Sequence, residues 1–357
     1  MRKWLAALAL ALPALGLAQD KLSEEMREVS RSILRATDAY SRSDAPAINL
    51  DPEIRALDRM LASGGLNPIG MAVAHYWRAR AYASINWVRM RKGEGADPAL
   101  ARKALADFDL AIAGGDVPAW QLSRANTQYM AGLVAYNYLD DPKRAFGYWE
   151  TCAGAGHAGC LNTMATARLT GLGGIAVDLD QAVELNRRVY DTGTDFQCAG
   201  ALSAFAIAQI VHTGLLTGVT VDEFEWMRRG YQLLDELAAR DKDDNPCERA
   251  KHETYEYLMR LKRGEDRREL LHAAAARRRA NDYAAFAEYL LGNASRESLE
   301  RAIAAQPLRH VACALHFGTA WHAGLKGDAA LRERHLAAMR AIGTPCATEL
   351  ALSSGVR

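Results

Sequence analysis

Apolar residues recur along this chain at alternating spacings of four and three, the period of a helix with one buried face. Leu22, Met26, Val29, Ile33, Ala36 and Tyr40 form the first stripe, with Glu24, Glu25, Arg27 and Arg31 outside it. No convincing run of alternating strand residues appears. Short Gly, Asp and Pro breaks divide the remainder into helix after helix. After a break at Ser41 to Pro52, a second helix is predicted from about Asp51 to Ala62. Beyond Gly64-Gly65 the helices pair: 69–91 with 97–114, 118–139 with 142–154, and 158–172 with 179–192. Further pairs are expected at 196–217 with 221–240, 246–263 with 266–280, 282–292 with 295–305, and 308–325 with 328–342.

Successive hairpins of this kind are the mark of a repeat architecture. The internal pattern agrees. Ala104, Ala145 and Ala182 are each followed eleven residues later by Gly115, Gly156 and Gly193. Between them, at the same offsets of four and seven, lie Phe108 and Ala111, Trp149 and Cys152, Asn186 and Val189. The Ala lets two helices approach closely, and the Gly ends its helix in a left-handed turn. The expected fold is therefore an all-α solenoid of about eight antiparallel helix hairpins. Residues 19–65 would form an N-terminal helical cap and 66–357 the repeat domain.

Residues 69–115 resemble a tetratricopeptide repeat with a stretched inter-helix turn. They carry His75-Tyr76-Trp77-Arg78-Ala79-Arg80-Ala81-Tyr82, then Ala104-Leu105-Ala106-Asp107-Phe108-Asp109-Leu110-Ala111. Residues 141–226 resemble the related Sel1-like repeats more closely. The run from Thr151 to Asn162 is similar to their cysteine-rich form, with Cys152 and Cys160 bracketing a turn at Gly156-His157. Gly218-Val219-Thr220-Val221-Asp222 is similar to the family's inter-helix turn, and Gly173-Gly174 to Asp178 repeats it loosely. The chain departs from the pattern at Val189-Tyr190, where a first Cys would fall, and at Trp226, where the small Ala is expected. Past about residue 240 only generic hairpins remain.

Composition adds location. Arg2 and Lys3, the apolar run from Trp4 to Leu17 and the small residues Gly16-Leu17-Ala18 read as a cleavable signal peptide, cut after Ala18. The expected location is periplasmic or secreted. The full chain has 44 basic and 43 acidic residues; loss of the leader removes two of the basic ones. That balance argues against nucleic acid or a polybasic membrane surface as partner, and no transmembrane segment is expected in the mature chain. About a fifth of the residues are Ala, against ordinary usage, which favours helix throughout. Six Cys in an exported chain form an even set, compatible on count alone with 15 pairings. Hairpin geometry narrows these, because the end of one hairpin returns to the edge where it began. It favours Cys152–Cys160, Cys198–Cys247 and Cys313–Cys346, and the resemblance implies the first of them.

Catalytic and metal chemistry find little support. His310, Cys313 and His316 share one side of a helix, but a disulfide at Cys313 would remove the thiolate. Lys251-His252-Glu253-Thr254-Tyr255 begins like a zinc-protease motif and lacks the second His. His157 reads as a structural turn residue. There is no Gly-x-Ser-x-Gly elbow and no Gly-rich phosphate loop. Asp107/Asp109 and Asp243/Asp244 read as solvated pairs, and Arg277-Arg278-Arg279 as a helix end whose cations face the dipole. No catalytic residue, cofactor or metal is expected. The resemblance to cysteine-rich Sel1-like proteins implies one alternative, a penicillin-binding or β-lactam-hydrolysing activity, although no serine here has a base at motif spacing.

The stronger candidate is a groove. The first helices of the hairpins concentrate aromatic and amide residues: Tyr76, Trp77, Arg80, Tyr82, Asn126, Tyr129, Tyr136, Asn137, Asn162, Arg168, Gln209 and His212. Such side chains are enriched where proteins bind one another. Tyr76, Arg80, Asn126, Tyr129, Asn162 and Arg168 are the expected groove residues. Their expected ligand is a protein or peptide of the cell envelope, bound by a non-enzymatic scaffold.

Overall fold

A computed structural model describes residues 22–38, 48–120, 122–193, 198–216, 221–241, 246–277, 283–306 and 308–355. The leader 1–18, Tyr40, Gly218-Val219-Thr220, Asp243/Asp244 and Arg278-Arg279 lie outside the described residues. Within them the chain is helical, apart from one isolated antiparallel bridge between Val117 and Leu122. It packs as two compact units, one through Cys160 and one from Leu161.

The first unit begins with α1 (22–38) and α2 (Asp51–Ala62). Two hairpins follow: α3 (Pro68–Arg91) with α4 (Pro98–Gly114), and α5 (Arg124–Leu139) with α6 (Pro142–Gly154). Each helix packs on the next from α2 to α6, and α3 also touches α5. The boundaries follow from local chemistry. Pro68, Pro98 and Pro142 open helices in the first turn, where a missing N–H costs nothing. The side chains of Asn67, Asp97, Ser123 and Asp141 accept hydrogen bonds from the exposed backbone N–H groups just beyond. The expected helix from 118 is corrected by this chemistry. Pro118–Trp120 forms a short 3-10 turn closed by the Val117–Leu122 bridge, and α5 starts only after the Ser123 cap.

α7 (Ala158–Thr170) leads into the second unit. It is followed by α8 (Leu179–Tyr190), α9 (Ala199–His212), α10 (Glu223–Asp241), α11 (Arg249–Lys262) and α12 (Arg268–Ala276). α13 (Tyr283–Leu291), α14 (Arg296–Ala304), α15 (Arg309–Leu325), α16 (Ala329–Ile342) and α17 (Ala347–Ser353) complete it. Neighbours in sequence pack on one another from α8 to α16, and α11 also touches α13 and α15. This is the consecutive-hairpin packing of an α-solenoid. The last short helix, α17, was not anticipated. The expected helix 266–280 is shorter at both ends, running only from Arg268 to Ala276.

The repeat positions explain the packing. Ala104, Ala145 and Ala182 are fully buried, as are the residues four and seven further on, Asn186 included. Gly115, Gly156 and Gly193 adopt φ of 84°, 84° and 61°, a region that side chains with a Cβ avoid. Trp226 sits where the small residue belongs and packs against Tyr190, and the small residue of this hairpin is Gly230, four residues later. A Cβ on Gly230 would lie 2.5 Å from the Phe205 ring of α9. In the α5–α6 hairpin the glycine is on the other helix: a Cβ on Gly132 would lie 2.2 Å from Trp149 Nε1.

Three disulfides join Cys152 to Cys160, Cys198 to Cys247 and Cys313 to Cys346, with Cα–Cα distances of 5.9, 5.6 and 5.1 Å. Each ties a residue beside one helix end to a residue close to the start or end of another.

Two sequence-based expectations about charge need correction. Asp107 is not solvated. It is only 3% exposed and lies on the buried side of α4, where Arg78 donates to both its oxygens at 2.7 Å and His75 Nδ1 sits 2.7 Å away. Burial pushes the Asp107 carboxyl up, but the Arg78 and His75 hydrogen bonds outweigh it and hold the carboxyl below its ordinary range. Arg277 likewise does more than face a helix dipole. It donates to both oxygens of buried Glu253, which Arg249 also contacts.

Candidate functional site

α3 carries twelve buried residues along its 24 and packs on α2, α4 and α5. It leaves a strip of side chains, Arg80, Ala83, Ser84 and Trp87, at helical spacing toward α1 and α5. Thr37 of α1 hydrogen-bonds Ser84 at 3.2 Å. From α5, Met130, Leu133, Val134, Asn137 and Tyr138 complete a cleft of about 230 Å³. Its walls are mainly apolar. Burial pushes the Tyr138 phenol up to about 12, so it stays a neutral hydroxyl at any physiological pH. Arg80 is the one charged residue among the lining side chains, and it forms no ion pair among the described residues.

Three expected groove residues meet at one point. The Tyr76 hydroxyl accepts from Arg80 at 3.4 Å and from Asn126 Nδ2 at 3.3 Å. The Tyr76 ring itself is buried edge-on against Trp77 and Phe108. Its part is to aim Arg80 and Asn126, which are both half-buried. Tyr129 lies elsewhere. Its ring rests on His157 at 5.2 Å, its carbonyl accepts from Trp149 Nε1, and burial raises its phenol. Asn162 is exposed on α7 in the second unit. Arg168 of that unit donates to the Ala176 carbonyl at 3.2 Å, tying the α7–α8 turn.

Of the remaining first-helix residues of the expectation, Asn137 lines the cleft, whereas Trp77, Tyr82, Tyr136 and His212 are packed among their neighbours. Trp77 and Tyr82 are at most 9% exposed, and Tyr136 lies against Phe146 and Trp149. His212 pairs with buried Glu223, which Arg263 also holds. Trp87 and Tyr138 escaped the sequence reading. The offset of seven from Arg80 to Trp87 was a visible signal, since it puts both on one helix face.

The trio His310, Cys313 and His316 is dispersed. Cys313 is in its disulfide, His310 faces Glu248 at 3.7 Å, and His316 faces His335. Among the described residues no group of three or more His, Cys, Asp or Glu side chains is arranged to hold a metal. His252 is stacked on Phe205 at 3.8 Å, wholly inside the core. Among the described residues no helix is long and apolar enough to cross a membrane.

No protein-family model and no curated protein matches this chain. Among solved structures it is similar to a protective antigen of uropathogenic Escherichia coli strains, described as displaying an SLR fold. The two share 14% identity at a TM-score of 0.34, over 90% of this chain and 78% of that one.

Proposed function

We propose that the protein is an exported, non-enzymatic helical-repeat scaffold whose α1–α3–α5 cleft holds a peptide or a segment of another cell-envelope protein. One observation supports this reading above the others: Arg80, a guanidinium with no ion pair among the described residues, stands at a mainly apolar cleft beside Trp87 and Tyr138. Arg and aromatic side chains around a small apolar pocket are the composition of binding hot spots. The partner segment that fits presents an apolar or aromatic side chain next to a carboxylate or a backbone carbonyl. The leader at 1–18 and the full pairing of six Cys fit an oxidising compartment, with the periplasm as the expected one.

The test is site-specific photocrosslinking in cells that export the full chain. A photoreactive residue at Met130 or Asn137 is expected to give one discrete protein adduct. The combined Arg80→Ala and Trp87→Ala substitutions should abolish it. The same probe at Leu110, exposed on α4 and outside the cleft, should give none. Absence of adducts from the cleft, or adducts indifferent to the double substitution, would overturn the proposal.

A further inference from the structure

The second unit contains a larger, half-open pocket, independent of the α1–α3–α5 cleft. Between α14, α15 and α16 lies a cavity of about 470 Å³, within the range of small-molecule sites. Ile303, Ala312, Ala338 and Ile342 give it an apolar wall. His316 and His335 stand in that wall with their Nδ1 atoms 2.8 Å apart. A hydrogen bond between two imidazole nitrogens requires one to carry the proton and the other to accept it. Burial, and then nearby positive charge, lowers both rings, His335 to about 4, so the pair is neutral at ordinary pH.

Two features of this wall are unsatisfied. His335 is 3% exposed, yet its Nε2 has no hydrogen-bond partner among the described residues. The buried Nε2 of Gln306, also on the wall, has none among the described residues either. Leaving such groups dry costs about 1–3 kcal/mol each, so a resident acceptor would be favoured. The charges indicate its sign. Glu300 is already engaged by Arg334 and Arg296, whereas Arg309 forms no ion pair among the described residues. One uncommitted cation beside a neutral His pair suits a single negative charge, and the Glu300 carboxylate opposes a polyanion.

We propose that this cavity binds a small carboxylate on an apolar stem, with the stem against Ile303, Ala312 and Ala338 and the carboxylate between Arg309 and His335 Nε2. Binding fixes the tautomers. His335 carries its proton on Nε2 for the ligand, and its Nδ1 accepts from His316 Nδ1–H. The carboxylate can belong to a free organic acid or to the C-terminal residue of a peptide, since both offer the same group.

Calorimetry and imidazole NMR on the full, oxidised chain separate these cases. Octanoate and a short acetylated peptide ending in a free-carboxylate leucine are the probes. Octanol and the peptide's C-terminal amide are the uncharged controls. Saturable binding of octanoate with shifts in the His335 ring signals supports a free acid; binding of the peptide acid alone supports a C-terminal residue. Either affinity should fall about tenfold or more in Arg309→Ala, the scale of one charge-assisted hydrogen bond. It should vanish in Ala338→Phe, which fills the cavity, with helicity and melting temperature checked first. Binding of neither carboxylate, equal binding of the uncharged controls, or full affinity in Arg309→Ala would each overturn the proposal.

Discussion

The α5–α6 and α9–α10 hairpins solve one packing problem in opposite ways. In the first, the small residue is on the leading helix, Gly132, and the ring it admits is Trp149 of the following helix. In the second, Gly230 is on the following helix and the ring is Phe205 of the leading one. The repeat's small position is therefore not a fixed address. What is fixed is a pair of facing positions whose volumes must be complementary, as close packing of interiors requires. Trp226, in place of the expected Ala, turns its ring edge-on to Tyr190 of α8, and the small residue of that hairpin is Gly230, one turn further along α10.

The two hairpin regions also differ in how their covalent ties act, and this gives the largest expected effect. Cys198–Cys247 closes 49 residues and Cys152–Cys160 only eight. The chain-entropy model then puts removal of the first, as Cys198→Ser with Cys247→Ser, at about 4 kcal/mol. Removal of the second, as Cys152→Ser with Cys160→Ser, comes to about 2.5 kcal/mol. Denaturant titrations of the two double variants measure the difference. Equal losses would show that strain or packing at the bridges, rather than loop length, sets their worth.

The next effect concerns the glycines. Ala is ordinarily better than Gly inside a helix by about 1 kcal/mol. Gly132→Ala and Gly230→Ala should nonetheless destabilise, by about 1–3 kcal/mol each, because the new Cβ overlaps a buried ring. Gly147 of α6 has open space around its Cβ direction, so Gly147→Ala should stabilise by up to about 1 kcal/mol. Thermal melts of the three variants read the sign directly. Pairing Gly230→Ala with Phe205→Leu should recover part of the loss. Simple additivity of the two would mean that the glycine and the ring do not share the volume assigned to them.

Much of the helical framework was readable from sequence because its signals are local. Caps such as Asp97 and Asp141, N-terminal prolines and left-handed glycines act within a few residues of the ends they set. The pairing of helices followed from short connections. Asp107 was misread although its position carried the clue: it lies three after Ala104 and four before Ala111, inside the apolar stripe. A charge there implies a buried partner, but nothing local says that the partner is Arg78 on the preceding helix. Arg277 hid for the same reason, its carboxylate being 24 residues away. Of the expected groove residues, Tyr76, Arg80 and Asn126 do meet. Trp87 and Tyr138 went unnoticed because α3 and α5 are apolar on several faces, so periodicity alone cannot choose which face stays open.

The smallest effect separates the same two regions by their histidines. His157, in the turn after α6, is half-buried and lowered by burial; His252, stacked on Phe205, is wholly buried and lowered well below its ordinary value. A histidine with a lowered folded-state pKa takes up its proton more readily in the unfolded chain. It therefore contributes stability above the unfolded pKa of about 6.5 and loses it as pH falls below that value. For His252 the loss between pH 7 and pH 6 is about 0.7 kcal/mol. Neither ring nitrogen of His252 has a hydrogen-bond partner among the described residues, so His252→Phe keeps the stack, gives up no hydrogen bond to them and should flatten the fall in stability over that range. His157→Asn should flatten it less, because water already reaches part of that ring and partly stabilises its charged form. Denaturant midpoints at pH 7 and pH 6 for the parent and both variants decide the matter. A slope unchanged in His252→Phe would mean that the core around Phe205 opens to let the histidine protonate, and the α9–α10 packing would then be looser than that of α5–α6.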